Sequence, residues 1–146
     1  MKLISHRGNL FGAVPERENN PEYINEALRA GFEVEIDVWT CEGYFLGHDA
    51  PVYLVQPTFL QNPGLWCHAK TPEALHHLLE LGAHCFCLAN DPCTLTSQNY
   101  IWTSAGHILF PRSIACLPEN FGYSNKVLAR SAGICSNNIQ SYKDIL

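Results

Sequence analysis

Five short polar clusters carry residue types suited to chemistry: His6-Arg7-Gly8, Glu18-Asn19-Asn20, Glu35-x-Asp37, Gly47-His48-Asp49 and His68-Ala69-Lys70. Glu35 and Asp37 are two apart, so on an extended strand both point to one face and can hold a hard divalent cation through oxygen ligands. Two imidazoles, at His6 and His48, suit a pair of proton transfers in which one accepts and the other donates. Which takes which role is not set by the sequence. Arg7 and Lys70 can neutralise negative charge on nonbridging oxygens in a transition state. Each triplet alone occurs often by chance, and each has a plainer reading: a solvated strand face for Glu35 and Asp37, a turn for His48-Asp49, a helix-flanking charge for Lys70. Their combination is specific because of where they fall.

The elements that must position them read as alternating strands and helices. Leu3–Ser5 is a first strand, and 33–38 alternates with period two, with Val34, Ile36 and Val38 on one face and the acids on the other. Leu65–Ala69, Cys85–Ala89, Tyr100–Thr103, Ser113–Leu117 and Gly133–Ser136 read as further strands, and Lys126–Ala129 as a strand or a piece of helix. Asn20-Pro21 starts a helix with an apolar stripe at Tyr23, Ile24, Ala27 and Leu28 that Gly31 ends. Thr71-Pro72 starts a second, with Leu75, Leu78 and Leu79, that Gly82 ends. Both lie between strands, the pattern of a parallel sheet. The reading is α/β: a compact TIM-type (β/α) barrel, residues 1–146 as one domain, with several outer helices shortened or missing, because a full barrel takes about 250 residues. All five clusters then fall at the end of a strand or in the loop just after it.

In those motifs the chain resembles the glycerophosphodiester phosphodiesterase family, within the phospholipase C-like phosphodiesterases, and its phospholipase-D-like toxin relatives. The likeness covers roughly residues 1–70, with an echo in Gly133-Ile134-Cys135-Ser136-Asn137. It implies a barrel fold and a metal-dependent cleavage of a small glycerophosphodiester-like substrate, by hydrolysis or with release of a cyclic phosphate. It implies His6 and His48 as catalytic residues, Arg7 and Lys70 on the substrate phosphate, and Glu18 and Asn19 in support. It further implies a cation, Mg²⁺ or Mn²⁺ with Ca²⁺ as a third option, on Glu35, Asp37 and the residue at position 68. The chain departs from the family there: His68 stands in place of a third carboxylate, which shifts preference away from Ca²⁺. Asn137 stands where relatives carry an acid, and the segment 50–64 is too short for the insertion that caps the substrate in many of them. A phosphate-binding module without catalysis is the alternative reading of the same residues.

Composition narrows the remaining classes. The formal charge is −5 with scattered basic residues, so no Lys/Arg face suited to a nucleic acid backbone is visible. The first residues do not read as a signal peptide, and no apolar run approaches the ~20 residues of a membrane helix. Seven cysteines, most in apolar runs, read as reduced thiols and a cytoplasmic setting. Cys85 and Cys87 lack the second ligand pair of a zinc site. His76, His77, His84 and His107 are assigned no chemistry, and Trp39, Trp66 and Trp102 read as core or pocket wall.

Overall fold

A computed structural model describes residues 1–143. In chain order its elements are β1 (Lys2–His6), α1 (Pro21–Arg29), β2 (Glu33–Thr40), β3 (Tyr44–Leu46), β4 (Tyr53–Val55), α2 (Pro57–Leu60), β5 (Leu65–Ala69) and α3 (Pro72–Glu80). There follow β6 (Cys85–Phe86), β7 (Cys93–Leu95), β8 (Ile101–Thr103), β9 (Ser113–Cys116), a 3₁₀ turn at Pro118–Asn120, α4 (Asn125–Leu128), β10 (Gly133–Ser136) and α5 (Gln140–Lys143). The two long helices start where their caps require. Asn20 accepts from the Glu22 N–H at 2.9 Å, and Thr71 Oγ1 from the Ala74 N–H at 3.1 Å, with Pro next in each case.

The expected TIM-type barrel of alternating β/α units does not form. The ten strands make one mixed sheet. Its parallel run is ordered β6-β5-β2-β1-β10-β9-β8, while β3 and β4 form an antiparallel hairpin on β2, and β7 lies antiparallel on β8. Among the described residues only α1 and α3 are helices of two turns or more; past β6 the chain is rich in Pro, Ser and Asn, which favour turns over helix, and alternation lapses. The strand expected over Cys85–Ala89 keeps only Cys85 and Phe86, and Lys126–Ala129 lies mostly in the short helix α4.

Two layers of side chains fix the sheet. Val34, Ile36, Val38, Leu65, Cys67 and Ala69 on one face pack under Ile24 and Ala27 of α1 and Ala74 and Leu78 of α3. Emptying one such site, as in Leu78→Ala, costs roughly 2–5 kcal/mol. The other face carries Ile4, Trp66, Phe86, Trp102, Ile114 and Cys135. The sheet curls around them until Phe86 on β6 and Trp102 on β8 stack with centroids 4.5 Å apart. Among the described residues no ladder joins β6 to β8; instead the Ser97 N–H donates to the Cys85 carbonyl at 2.8 Å, so a loop spans the two ends.

The hairpin sets the position of His48. β2 pairs with β1 through Glu33–Glu35 and, beyond the end of β1, with β3 through Val38–Thr40. This brings the β3–β4 turn, and His48 with it, to the end of the sheet where His6 lies. All seven cysteines are free, and no described helix is long and apolar enough to cross a membrane.

Candidate metal and acid–base site

Parallel pairing sets His6 opposite Glu35 and Asp37 opposite His68, on the face away from α1 and α3. Paired residues on adjacent parallel strands share a face, so four polar side chains converge, from the C-terminal ends of β1 and β5 and from the middle of β2, which runs on to Thr40. Lys70 follows β5 directly. Arg7 and Asn19 both take left-handed backbone, at φ 56° and 62°, a conformation that non-glycine residues adopt at a cost. The Asn19 N–H donates to the Arg7 carbonyl at 3.1 Å and the Arg7 N–H to the Glu35 carbonyl at 2.9 Å, which locks both turns against β2. Gly8 completes the turn at φ 95°; a Cβ there would sit 2.7 Å from the Tyr23 ring.

Asp37 is fully buried and surrounded by donors. Asn19 Nδ2 bonds its Oδ2 at 2.9 Å, with Arg7 Nε 3.0 Å from the same oxygen. Lys70 Nζ lies 3.4 Å and His68 Nδ1 3.1 Å from Oδ1. Burial alone would raise its pKa, but the His68 hydrogen bond, the charges of Arg7 and Lys70 and the Asn19 amide together hold it well below the ordinary carboxylate range. Glu35 is the opposite case. It is 2% exposed, its Oε2 has no hydrogen-bond partner, and burial followed by the charge of Asp37 raises its pKa well above the usual value.

His6 is buried with its ring oriented by two asparagines. Its Nδ1–H donates to Asn137 Oδ1 at 2.7 Å, and Asn9 Nδ2 donates to the same oxygen at 2.9 Å. That leaves Nε2 facing Glu35 Oε2 at 3.8 Å. Burial, then the neighbouring Arg7 charge, lowers the His6 pKa to about 4, so the ring is neutral near pH 7. Glu18 ties the turn together, accepting from Arg7 at 3.1 Å and Asn9 at 2.9 Å. Asn9 and Asn137 carry this network and were not read from sequence as site residues. Asn137 was visible only as a departure at a strand end. Asn9 left no signal, because only the tight turn after β1 folds it back to His6.

His68 is held differently. Its Nε2–H donates to the Leu88 carbonyl at 3.0 Å, and its ring stacks on Phe86 at 5.0 Å and 5°. Nδ1 therefore faces two carboxylates, Asp37 at 3.1 Å and Glu35 at 3.7 Å. Such contacts demand positive charge between the atoms: a proton on the ring, or a metal ion in its place. With the orphaned Glu35 oxygen, this is the observation that the residues fit a divalent cation. One donor atom from each of Glu35, Asp37 and His68 lies within 4.8 Å of the others.

His48 stands apart. Its side chain is 45% exposed and its Nδ1 lies 2.9 Å from Asp49 Oδ1. It lines a cleft of about 520 Å³ with Arg7, Glu18, Asn19, Ala50 and Tyr53. The structure thus gathers His6, Arg7, Glu18, Asn19, Glu35, Asp37, His68 and Lys70 into one network and sets His48 across a cleft that reaches it through Arg7 and Asn19. The turn is held by Trp39, whose Nε1–H donates to the Gly47 carbonyl at 2.7 Å. Compared with protein-family models, curated proteins and solved structures, the chain matches none.

Proposed function

We propose that the protein is a divalent-metal-dependent phosphodiesterase acting on a small glycerophosphodiester-like substrate, in keeping with the resemblance of its motifs to the glycerophosphodiester phosphodiesterase family. The observation that carries this reading is the convergence of a buried carboxylate pair and an imidazole with two cationic side chains, Arg7 and Lys70, at 3.0 and 3.4 Å from Asp37. A phosphodiester entering the cleft meets Arg7 on its wall, and Lys70 beside Asp37 is placed to turn toward a nonbridging oxygen. When bound to Glu35, Asp37 and His68, a Mg²⁺ or Mn²⁺ ion supplies charge that offsets the phosphate and acidifies a hydroxyl.

The neutral His6, with Nε2 open to the site, accepts the proton of the attacking hydroxyl. That hydroxyl belongs to water in hydrolysis, or to the substrate itself if a cyclic phosphate forms. As the new P–O bond forms, the bond to the leaving alkoxide breaks, and His48 donates its proton to that oxygen. Glu18 and Asn19 hold Arg7 and Asp37 in place. A cytoplasmic setting belongs to the same proposal, on the strength of the seven free thiols.

The test is turnover of bis(p-nitrophenyl) phosphate and glycerophosphocholine with Mn²⁺ or Mg²⁺, before and after exhaustive chelation. Cleavage that requires the added ion supports the reading. Cleavage unchanged by chelation removes the metal role. Binding of inorganic phosphate with no turnover of either ester would leave the phosphate-binding module.

A further inference from the structure

We propose that His68, presented Nδ1-first, makes this centre selective for a first-row transition ion such as Mn²⁺ or Zn²⁺ over Mg²⁺ and Ca²⁺, an inference that rests on the metal reading above. Three independent features of the site converge on it.

The first is the fixed nitrogen. The Leu88 carbonyl accepts the Nε2–H hydrogen bond and Phe86 covers one ring face, contacts that hold the ring with Nδ1 toward the carboxylates. A second partner of this kind orients a ligating histidine and raises its basicity. A cation about 2.1 Å from each donor sets neighbouring donors ~3.0 Å apart at octahedral angles and ~3.4 Å at tetrahedral angles. Nδ1 lies 3.1 Å from Asp37 Oδ1 and 3.7 Å from Glu35 Oε1, close to those edges before any ion draws them in.

The second is the shortage of oxygen. Calcium takes six to eight oxygen ligands, commonly with bidentate carboxylates. Asp37 Oδ2 is taken up by Asn19 and Arg7, which leaves Asp37 only Oδ1, beside Lys70 and His68, for a metal.

The third is charge. Arg7 and Lys70 both stand against Asp37, so two cations offset the charge of the carboxylate pair and the site holds little net negative charge. Ions bound mainly by charge lose most from that balance. Ions that bond well to imidazole lose less, in the order Mn²⁺ < Fe²⁺ < Co²⁺ < Ni²⁺ < Cu²⁺ > Zn²⁺.

The experiment is direct binding of the ions alone to the full chain by calorimetry, with pulsed EPR of the Mn²⁺-loaded protein. The parent should bind Mn²⁺ and Zn²⁺ at least about tenfold more tightly than Mg²⁺ or Ca²⁺, and its Mn²⁺ should show a directly bonded ¹⁴N. His68→Asp should lose the nitrogen signal and narrow the Mn²⁺ to Mg²⁺ preference to within about threefold. His68→Gln, with its fold checked by circular dichroism, should lose the nitrogen signal too. Bound Mn²⁺ without coupled nitrogen, or Mg²⁺ held as tightly as Mn²⁺ by the parent, overturns the selectivity while leaving phosphodiesterase activity to stand on its own assay. Nitrogen-bonded Mn²⁺ in a protein that cleaves no diester supports the selectivity and overturns only the function. No ion bound at millimolar concentration overturns the selectivity and the metal role together.

Discussion

Glu35 and Asp37 lie two residues apart on one face of β2, and their surroundings drive them in opposite directions. Asp37 is met by Asn19, Arg7, Lys70 and His68, whereas Glu35 keeps a buried oxygen with no partner. One carboxylate is therefore held ionised by the protein, and the other resists ionisation until a cation arrives. Carboxylates whose surroundings push their pKa values apart recur at functional sites, which is in keeping with the function proposed above.

The first prediction concerns Glu35. Because its pKa is raised in the fold, stability present at low pH is lost as pH rises from the ordinary carboxyl range through the raised value. Near pH 7.5 the metal-free protein bears that cost. Glu35→Gln should stabilise the metal-free protein there by roughly 1–3 kcal/mol, and the gain should shrink toward pH 4. Added Mn²⁺ should raise the melting temperature of the parent and not of the variant. Calorimetric scans with and without Mn²⁺ at the two pH values check both halves.

His6→Ala and His48→Ala should each lower kcat on bis(p-nitrophenyl) phosphate by about 10²-fold, with inhibition by inorganic phosphate little changed. Asn137→Ala should cost about tenfold by releasing the His6 ring. A loss of threefold or less in His48→Ala would leave that exposed residue as part of a turn.

Gly47→Ala tests the hairpin. Gly47 has φ +158°, and a Cβ there would lie 2.0 Å from the Ala50 carbonyl oxygen. The turn must open, and His48 moves with it. Turnover should fall nearly as far as in His48→Ala, while Mn²⁺ affinity stays within about twofold, since Glu35, Asp37 and His68 lie on other strands.

Acid sensitivity should come partly from His84, far from the cleft. It packs 4.1 Å from Trp66 and bonds Thr96 Oγ1 through Nε2 at 2.9 Å. Burial lowers its pKa to about 4 from 6.5, so the unfolded chain takes up a proton that the fold refuses. Stability is complete above pH 6.5 and is lost as pH falls toward 4. At pH 5 the loss is about 2 kcal/mol. His84→Gln should remove that share of the difference in melting temperature between pH 7.5 and pH 5.

The sequence by itself determined the parts whose physics is local. Asn20-Pro21 and Thr71-Pro72 mark helix starts because a cap and a preset φ act within one turn, and the alternation in β2 shows both which face is apolar and that Glu35 and Asp37 share the other. Four of the clusters were legible for the same reason, each being a strand end or the loop beside it, whereas Glu35-x-Asp37, expected to close its strand, lies within β2, which runs on to Thr40. Architecture was not, because it depends on how distant strands pair. Nothing in residues 44–55 announces that this hairpin will prolong the sheet past the end of β1, and the lapse of helices after β6 turned the expected barrel into a mixed sheet. Only the tertiary structure decided that Asn137, 131 residues from His6, would set its ring, or that the Leu88 carbonyl would turn His68 Nδ1 toward the carboxylates. It likewise decided that Glu35 and Asp37, alike in type and strand, would differ in how readily they ionise, since a carboxyl's pKa follows from the donors and the solvent that packing leaves around it.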